Sequence, residues 1–173
     1  MSATRYQYYD NESMFHGFIP HVMGTRLDIL IIHPDVTLLH RIWVTITNEL
    51  EYLDRILNRF DPKSEVSKIN ALHSQNSIPI STELGNILQL CQYYYEHTFH
   101  LFDIKDFSEI QFCNRHISLP ASELTLDFGG FAKGYALQKI RNILQQENLQ
   151  NAFIDFGNSS ILGMGHHPYG NCW

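Results

Sequence analysis

Leu126-Asp127-Phe128-Gly129-Gly130-Phe131-Ala132-Lys133-Gly134-Tyr135-Ala136 is the stretch whose reading decides how the rest of the chain is organised. Before the glycines, Leu124-Thr125-Leu126-Asp127-Phe128 alternates apolar and polar residues, which predicts a strand. After them, apolar residues recur at helical spacing and predict a helix over about residues 131–147. Gly129 and Gly130 lack a Cβ and make a tight turn between the two. The segment thus brings the carboxylate of Asp127 to the end of a strand. The free N–H groups of the following helix start suit a phosphate. Lys133 falls in the first helical turn, where the helix dipole disfavours a cation. An anionic ligand is one reason for a lysine there; a solvated lysine on an ordinary strand-turn-helix is the other. The spacing matches neither a P-loop nor the dinucleotide fingerprint.

Downstream, Asn151-Ala152-Phe153-Ile154-Asp155-Phe156 reads as a strand that ends in Gly157-Asn158-Ser159-Ser160, with Ile161-Leu162-Gly163 after it. An acid, a glycine and small polar residues can line a cleft beside the Gly129-Gly130 turn, provided the two strands are neighbours. A plain turn uses the same residues. Upstream, Leu38, Ile42, Ile46, Leu50, Leu53 and Leu57 form one apolar stripe and predict a helix over residues 36–59, stopped at Asp61-Pro62. Ser64 and Glu65 start a short helical turn. Ser81 or Thr82 caps a further helix to about His97, with Leu84, Ile87, Leu88 and Cys91 inward. Arg26-Leu27-Asp28-Ile29-Leu30-Ile31-Ile32 is a strand entered through Met23-Gly24-Thr25. Residues 1–24 show no steady period, and His16-Gly17-Phe18-Ile19-Pro20 reads as loop. A short strand is expected within residues 115–119. Strands and helices mix without strict alternation, so the class expected is α+β rather than a doubly wound sheet.

The 173 residues, 44% hydrophobic and 17% charged, are enough for one packed domain and argue against disorder. A formal charge of −6 disfavours a general nucleic-acid binder, because phosphates must be met by clustered cations. Cys91, Cys113 and Cys172 form no close pair, which points to a reducing compartment. The first ten residues lack an apolar signal core, and Ile29-Leu30-Ile31-Ile32 is the longest aliphatic run. Read literally, the chain is cytoplasmic. The 10 histidines include His97-x-x-His100-x-x-Asp103 and His166-His167, two weak metal-ligand patterns. For the first, a helix end packed by aromatics is the stronger reading. Tyr93-Tyr94-Tyr95 suits a core edge better than a stacking platform.

Five segments in one order resemble the ApbE family of FAD:protein FMN transferases. Met23-Gly24-Thr25 resembles its early M-G-T. Leu53-Asp54-x-x-Leu57-x-x-Phe60-Asp61-Pro62-x-Ser64-Glu65-Val66-Ser67-x-x-Asn70 resembles its L-D…S-E-(I/L)-S-x-(L/F)-N segment. Leu101-Phe102-Asp103, the Leu126 to Ala136 stretch and Phe153-Ile154-Asp155-Phe156-Gly157-Asn158 are similar to three further family motifs. The resemblance implies an ApbE-like (T-fold-like) α+β domain over residues 1–173, with a mixed or antiparallel sheet and packed helices. It implies Mg²⁺-dependent chemistry in which the FAD pyrophosphate is cleaved, FMN passes to a Thr hydroxyl of an acceptor flavoprotein, and AMP leaves. By similarity, Met23 and Phe60 line the flavin or adenine pocket and Asp127 holds FAD. Lys133 stands near the phosphates as the catalytic candidate, and the Gly130 carbonyl faces the metal. Where the family has P-T-V-G-P, this chain has Ile104-Lys105-Asp106-Phe107. The family pattern also runs on past the strand tryptophan that Trp173 matches. The expectation is therefore a fold whose C-terminal part, with the remaining metal ligands, is missing. Family members are often exported and membrane-anchored. The rival readings are a non-catalytic flavin or nucleotide binder, and an interaction module or oligomer whose sheet a partner chain completes near Phe153 to Trp173.

Overall fold

The computed structural model describes residues 4–72, 77–104, 107–113, 115–119 and 124–173. Lys105 and Asp106 lie outside them. In chain order the elements are β1 (Arg5–Tyr9), β2 (Met14–Val22), β3 (Thr25–Ile32), α1 (Val36–Leu57), α2 (Glu65–Leu72), β4 (Ile78–Pro79), α3 (Thr82–His97), β5 (Gln111–Cys113), β6 (His116–Ser118), α4 (Ala132–Gln146), β7 (Ala152–Phe156) and β8 (Ser160–Met164). The chain divides into two compact units, residues 1–53 with 132–173 and residues 54–131. No described helix is long and apolar enough to cross a membrane.

The first unit is an antiparallel sheet in the order β1-β2-β3-β7-β8, with α1 up to Leu53 and α4 packed on one face. Strand residues alternate between faces. Phe15, Leu27, Ile29, Ile31, Ile154 and Phe156 are fully buried, and meet Leu39, Ile46 and Leu50 of α1 and Ala136, Ile140 and Leu144 of α4. Each such side chain contributes roughly 1.5–3 kcal/mol by leaving water. The other face carries polar pairs, among them His16 Nε2 with Asp28 Oδ1 at 3.1 Å. Asp35 caps α1, its carboxylate accepting from the Leu38 amide at 3.0 Å.

The expected loop at residues 16–20 is the middle of β2. Its period-2 pattern is hidden because one inward position is glycine. A Cβ on Gly17 would stand 2.6 Å from the Trp43 ring and 2.9 Å from Ile29, so the indole occupies the space a side chain would take. Pro20 sits where the β2–β3 register shifts, a place a strand tolerates proline.

The second unit holds a three-stranded sheet, β4-β6-β5, with α2 and α3. Ser81 caps α3, and Leu84, Ile87, Leu88 and Cys91 are buried. The strand expected at residues 115–119 is β6. Residues 124–128, expected as a strand, belong to no sheet. The main-chain hydrogen bonds of Leu126 go instead to a side chain. Asn70 Oδ1 accepts from the Leu126 amide at 2.8 Å, and Asn70 Nδ2 donates to the Leu126 carbonyl at 3.1 Å.

Burial pushes the Cys91 thiol up to about 12, because the core disfavours the thiolate. The folded state then holds this proton more tightly than the unfolded chain. The contribution is complete below the ordinary thiol value of 9.0 and is lost as pH rises from there towards about 12. A thermal denaturation series should show Tm falling above about pH 9. The Cys91→Ala form should flatten that slope; an equal slope in both would assign the loss to other groups.

Candidate functional site

In the first unit, three of the singled-out segments meet at one end of the large sheet. Met23 and Gly24 form the two-residue turn between β2 and β3, with φ of 49° and 80°. Two positive φ values make a primed hairpin turn, which follows the twist of the strands. Asparagine or glycine is the usual choice at the first position, so a methionine there is held at some conformational cost. Met23 packs partly against the core. The β7–β8 turn lies beside it: Gly157, at φ 68°, comes so close to Thr25 that a Cβ would collide with it. Arg26 ties the two turns together, Nη2 donating to Asn158 Oδ1 at 2.8 Å with Asp155 Oδ2 at 3.9 Å. Asp155 Oδ1 accepts from the Asn158 amide at 2.8 Å and holds that turn's shape.

Lys133 reaches the same end. It lies in the first turn of α4, which carries no acidic residue, and its Nζ donates to Ser159 Oγ. An ammonium beside a hydroxyl, at a helix start with no carboxylate in its first turn, can receive an anion. The sequence ties the Gly157 turn to the glycine-turn segment only through neighbouring strands, and residues 124–128 join no sheet. Thr25 meets Gly157 because β3 pairs with β7, Leu27 opposite Phe156, and α4 brings Lys133 to Ser159.

In the second unit, Asp127 stands between a turn and a cation. Its Oδ1 accepts from the Gly129 amide at 2.9 Å, and its Oδ2 lies 3.3 Å from Arg59 Nε. The Arg59 guanidinium covers the Phe60 ring at 4.3 Å from the centroid. Phe60 is 77% exposed, so the ring is available to a flat ligand. Arg59 belongs to no sequence motif; the local signal for it is an arginine beside an aromatic at the end of the predicted helix. Phe128 accepts from the Phe131 amide at 2.9 Å and closes the glycine turn. A Cβ on Gly130 would meet nothing within 4 Å.

Among the described residues no group of three or more His, Cys, Asp or Glu converges as a metal site. Mg²⁺ requires near-octahedral oxygen coordination. The Gly130 carbonyl without grouped carboxylates does not fit that ion. The weak histidine patterns are otherwise engaged. His97 stacks on Tyr93 and hydrogen-bonds its carbonyl, His100 stacks on Tyr95, and Asp103 accepts from the Phe107 amide. His166 meets the Asn171 carbonyl and His167 packs edge-on to Trp173. A cavity of about 740 Å³ in the second unit, beside Tyr95, His100, Phe107 and Cys113, is lined by none of Met23, Phe60, Asp127, Gly130 and Lys133. Trp173, expected within a strand, lies outside any sheet; its indole donates to the Met164 carbonyl at 2.7 Å and stacks on Phe153.

Comparison with known proteins bears on the fold and the family. The chain is 27% identical over 157 residues to an FAD:protein FMN transferase of Chlamydia trachomatis, an alignment covering 71% of this chain and 48% of that protein. It thus spans about half the length of that relative. A mutant form of the flavin transferase ApbE from Vibrio cholerae superposes with a TM-score of 0.82 at 18% identity, covering 92% of this chain and 65% of that one. Apo flavinyl transferase ApbE from Pseudomonas stutzeri gives 0.77 at 16% identity, with 98% and 59% covered. At these identities the structures establish a shared α+β fold. The ApbE family model matches residues 23–106 and 105–173, which contain every segment of the candidate site, and the chain belongs to the ApbE family.

Proposed function

We propose that this chain binds FAD and serves FMN transfer to a threonine of an acceptor flavoprotein. In that reaction a P–O bond of the FAD pyrophosphate breaks and a bond forms between the threonine Oγ and the FMN phosphorus. AMP leaves with the bridging oxygen as part of its phosphate, and the threonine hydroxyl gives up its proton to water. Such substitution at phosphorus needs positioned charge more than covalent help from the protein. In the first unit, Lys133 would neutralise phosphate oxygens and Met23 would border the flavin or adenine. In the second unit, Asp127 would accept a hydrogen bond from FAD and Phe60 would stack on it. Mg²⁺ enters this reading through the resemblance alone, because the Gly130 carbonyl by itself does not hold the ion. The observation that carries the reading is the meeting of Lys133 and Ser159 with the turns of Thr25 and Gly157 at one sheet end.

Calorimetric titration of the purified chain tests it: FAD should bind saturably and more tightly than AMP. Heats indistinguishable from dilution up to millimolar FAD would overturn the proposal. With Mg²⁺ present the same chain should release little AMP, because its described residues group no carboxylates for the ion. Sustained conversion of FAD to FMN and AMP would overturn that second expectation. Little turnover with saturable binding favours the binder reading. The strand β8 has a sheet neighbour on one side only among the described residues, and its Ile161 is 60% exposed. A partner chain pairing with that edge is the reading a concentration-dependent mass would support.

A further inference from the structure

The second unit carries a run of hydrogen bonds that ends next to Asp127. Ser64, fully buried, accepts from the Ser67 amide at 3.0 Å and caps α2. Glu65 accepts from the Ser81 amide and from the Ser81 hydroxyl, each at 2.6 Å. Ser81 in turn accepts from the Leu84 amide at 3.1 Å, so one carboxylate ties the start of α2 to the cap of α3. The last turn of α2 presents Asn70, and its carboxamide grips both main-chain groups of Leu126. An amide side chain offers one acceptor and a donor pair in one plane, so it can replace the peptide of a missing neighbouring strand. The Leu126 side chain is fully buried and anchors the segment from the other side. The next residue, Asp127, holds the Gly129 amide and faces Arg59.

We propose that Asn70 is a positioning residue: by clamping the Leu126 main chain it sets where the Asp127 carboxylate and the glycine turn stand. This rests on the reading of Asp127 as an FAD contact, but the clamp itself is observable without ligand. The Ser-Glu-x-Ser-x-x-Asn segment then has one purpose. Its serine and glutamate orient α2 so that its asparagine reaches the segment before the turn. Without Asn70, the Leu126 amide and carbonyl would lose their partners, and the segment would keep the main-chain bond from the Asp127 amide to the Ile104 carbonyl at 3.4 Å, beside its buried side chains.

The test compares Asn70→Ala and Asn70→Asp with Ile56→Val, a core change in the same unit that lowers stability without touching the clamp. Asn70→Asp keeps an acceptor for the Leu126 amide and loses the donor to its carbonyl. It serves as the second variant if Asn70→Ala does not fold. Backbone amide NMR and hydrogen exchange should show the Leu126 amide exchanging faster and the Gly129 resonance moving in the Asn70 variants, but not in Ile56→Val. FAD affinity should fall roughly tenfold or more, the size of one lost charge-assisted contact, against little change for Ile56→Val. Unmoved Gly129 and Leu126 amides in a folded Asn70 variant would overturn the proposal. So would an affinity loss no larger than that of Ile56→Val at matched Tm. If the unaltered chain binds no FAD, the functional reading fails by itself, and the amide measurements still decide the clamp.

Discussion

Replacing Lys133 with alanine is expected to weaken FAD binding by roughly ten- to a hundredfold while leaving the fold at least as stable. A hydrogen bond from an ammonium to a phosphate oxygen is worth about 1.5–3 kcal/mol, and each 1.4 kcal/mol is a factor of ten. The stability side has the opposite sign. Lys133 lies in the first turn of α4, where a cation opposes the helix dipole by about 0.3–1 kcal/mol, and alanine is the better helix former. Among the described residues, the side-chain hydrogen bond given up is the one to the Ser159 hydroxyl. Binding should therefore fall while Tm holds or rises, a combination that simple damage to the fold does not produce. Ser159→Ala, which removes only the hydroxyl, should lose less affinity than Lys133→Ala. Calorimetry and thermal denaturation on the same samples check both. Unchanged FAD affinity in Lys133→Ala would remove the anion site from the first unit.

Gly17→Val is expected to cost about 3 kcal/mol and to lower Tm by on the order of 10 °C. Two effects compete here. Valine is the better strand former, and glycine loses more backbone freedom on folding, which together favour the variant by about 1 kcal/mol. Against this, the first added carbon would lie 2.6 Å from the Trp43 ring and 2.9 Å from Ile29. Both are buried, Ile29 completely, and neither offers the flexible end of a long chain. Overpacking costs typically 1–3 kcal/mol and more where the neighbours cannot move, so the clash decides the sign. Scanning calorimetry measures it. An unchanged Tm would mean that Trp43 swings aside, and near-ultraviolet circular dichroism of the indole would then change.

The parts of this fold that were legible in the sequence are those whose burial repeats at short range. The stripe from Leu38 to Leu57 predicts α1 because 3.6-residue periodicity is a property of adjacent turns. Ser81 as the cap of α3 and the glycine turn before α4 are local for the same reason. The stretch over residues 124–128 looks identical, in sequence, to a strand. Whether an extended segment joins a sheet depends on what lies beside it, and here that is the amide of Asn70, 56 residues away. In β2, the apolar alternation breaks at Gly17 because its missing side chain is supplied by an indole from α1. A sequence window cannot display a space filled from elsewhere.

The candidate site divides in the same way. Sequence alone named Met23, Phe60, Asp127, Gly130 and Lys133, and the family to which those motifs belong. The glycine turn and Lys133 read as an anion site from the residues themselves, whereas Met23, Phe60 and the Gly130 carbonyl are implied by the family resemblance. Tertiary structure alone decided which of them meet. The pairing of β3 with β7 brings Thr25 against Gly157, and α4 leads Lys133 to Ser159. The end of α1 sets Arg59 between Phe60 and Asp127. These meetings depend on register and helix placement, which are set by the burial of the whole apolar face rather than by any residue's neighbours in the chain.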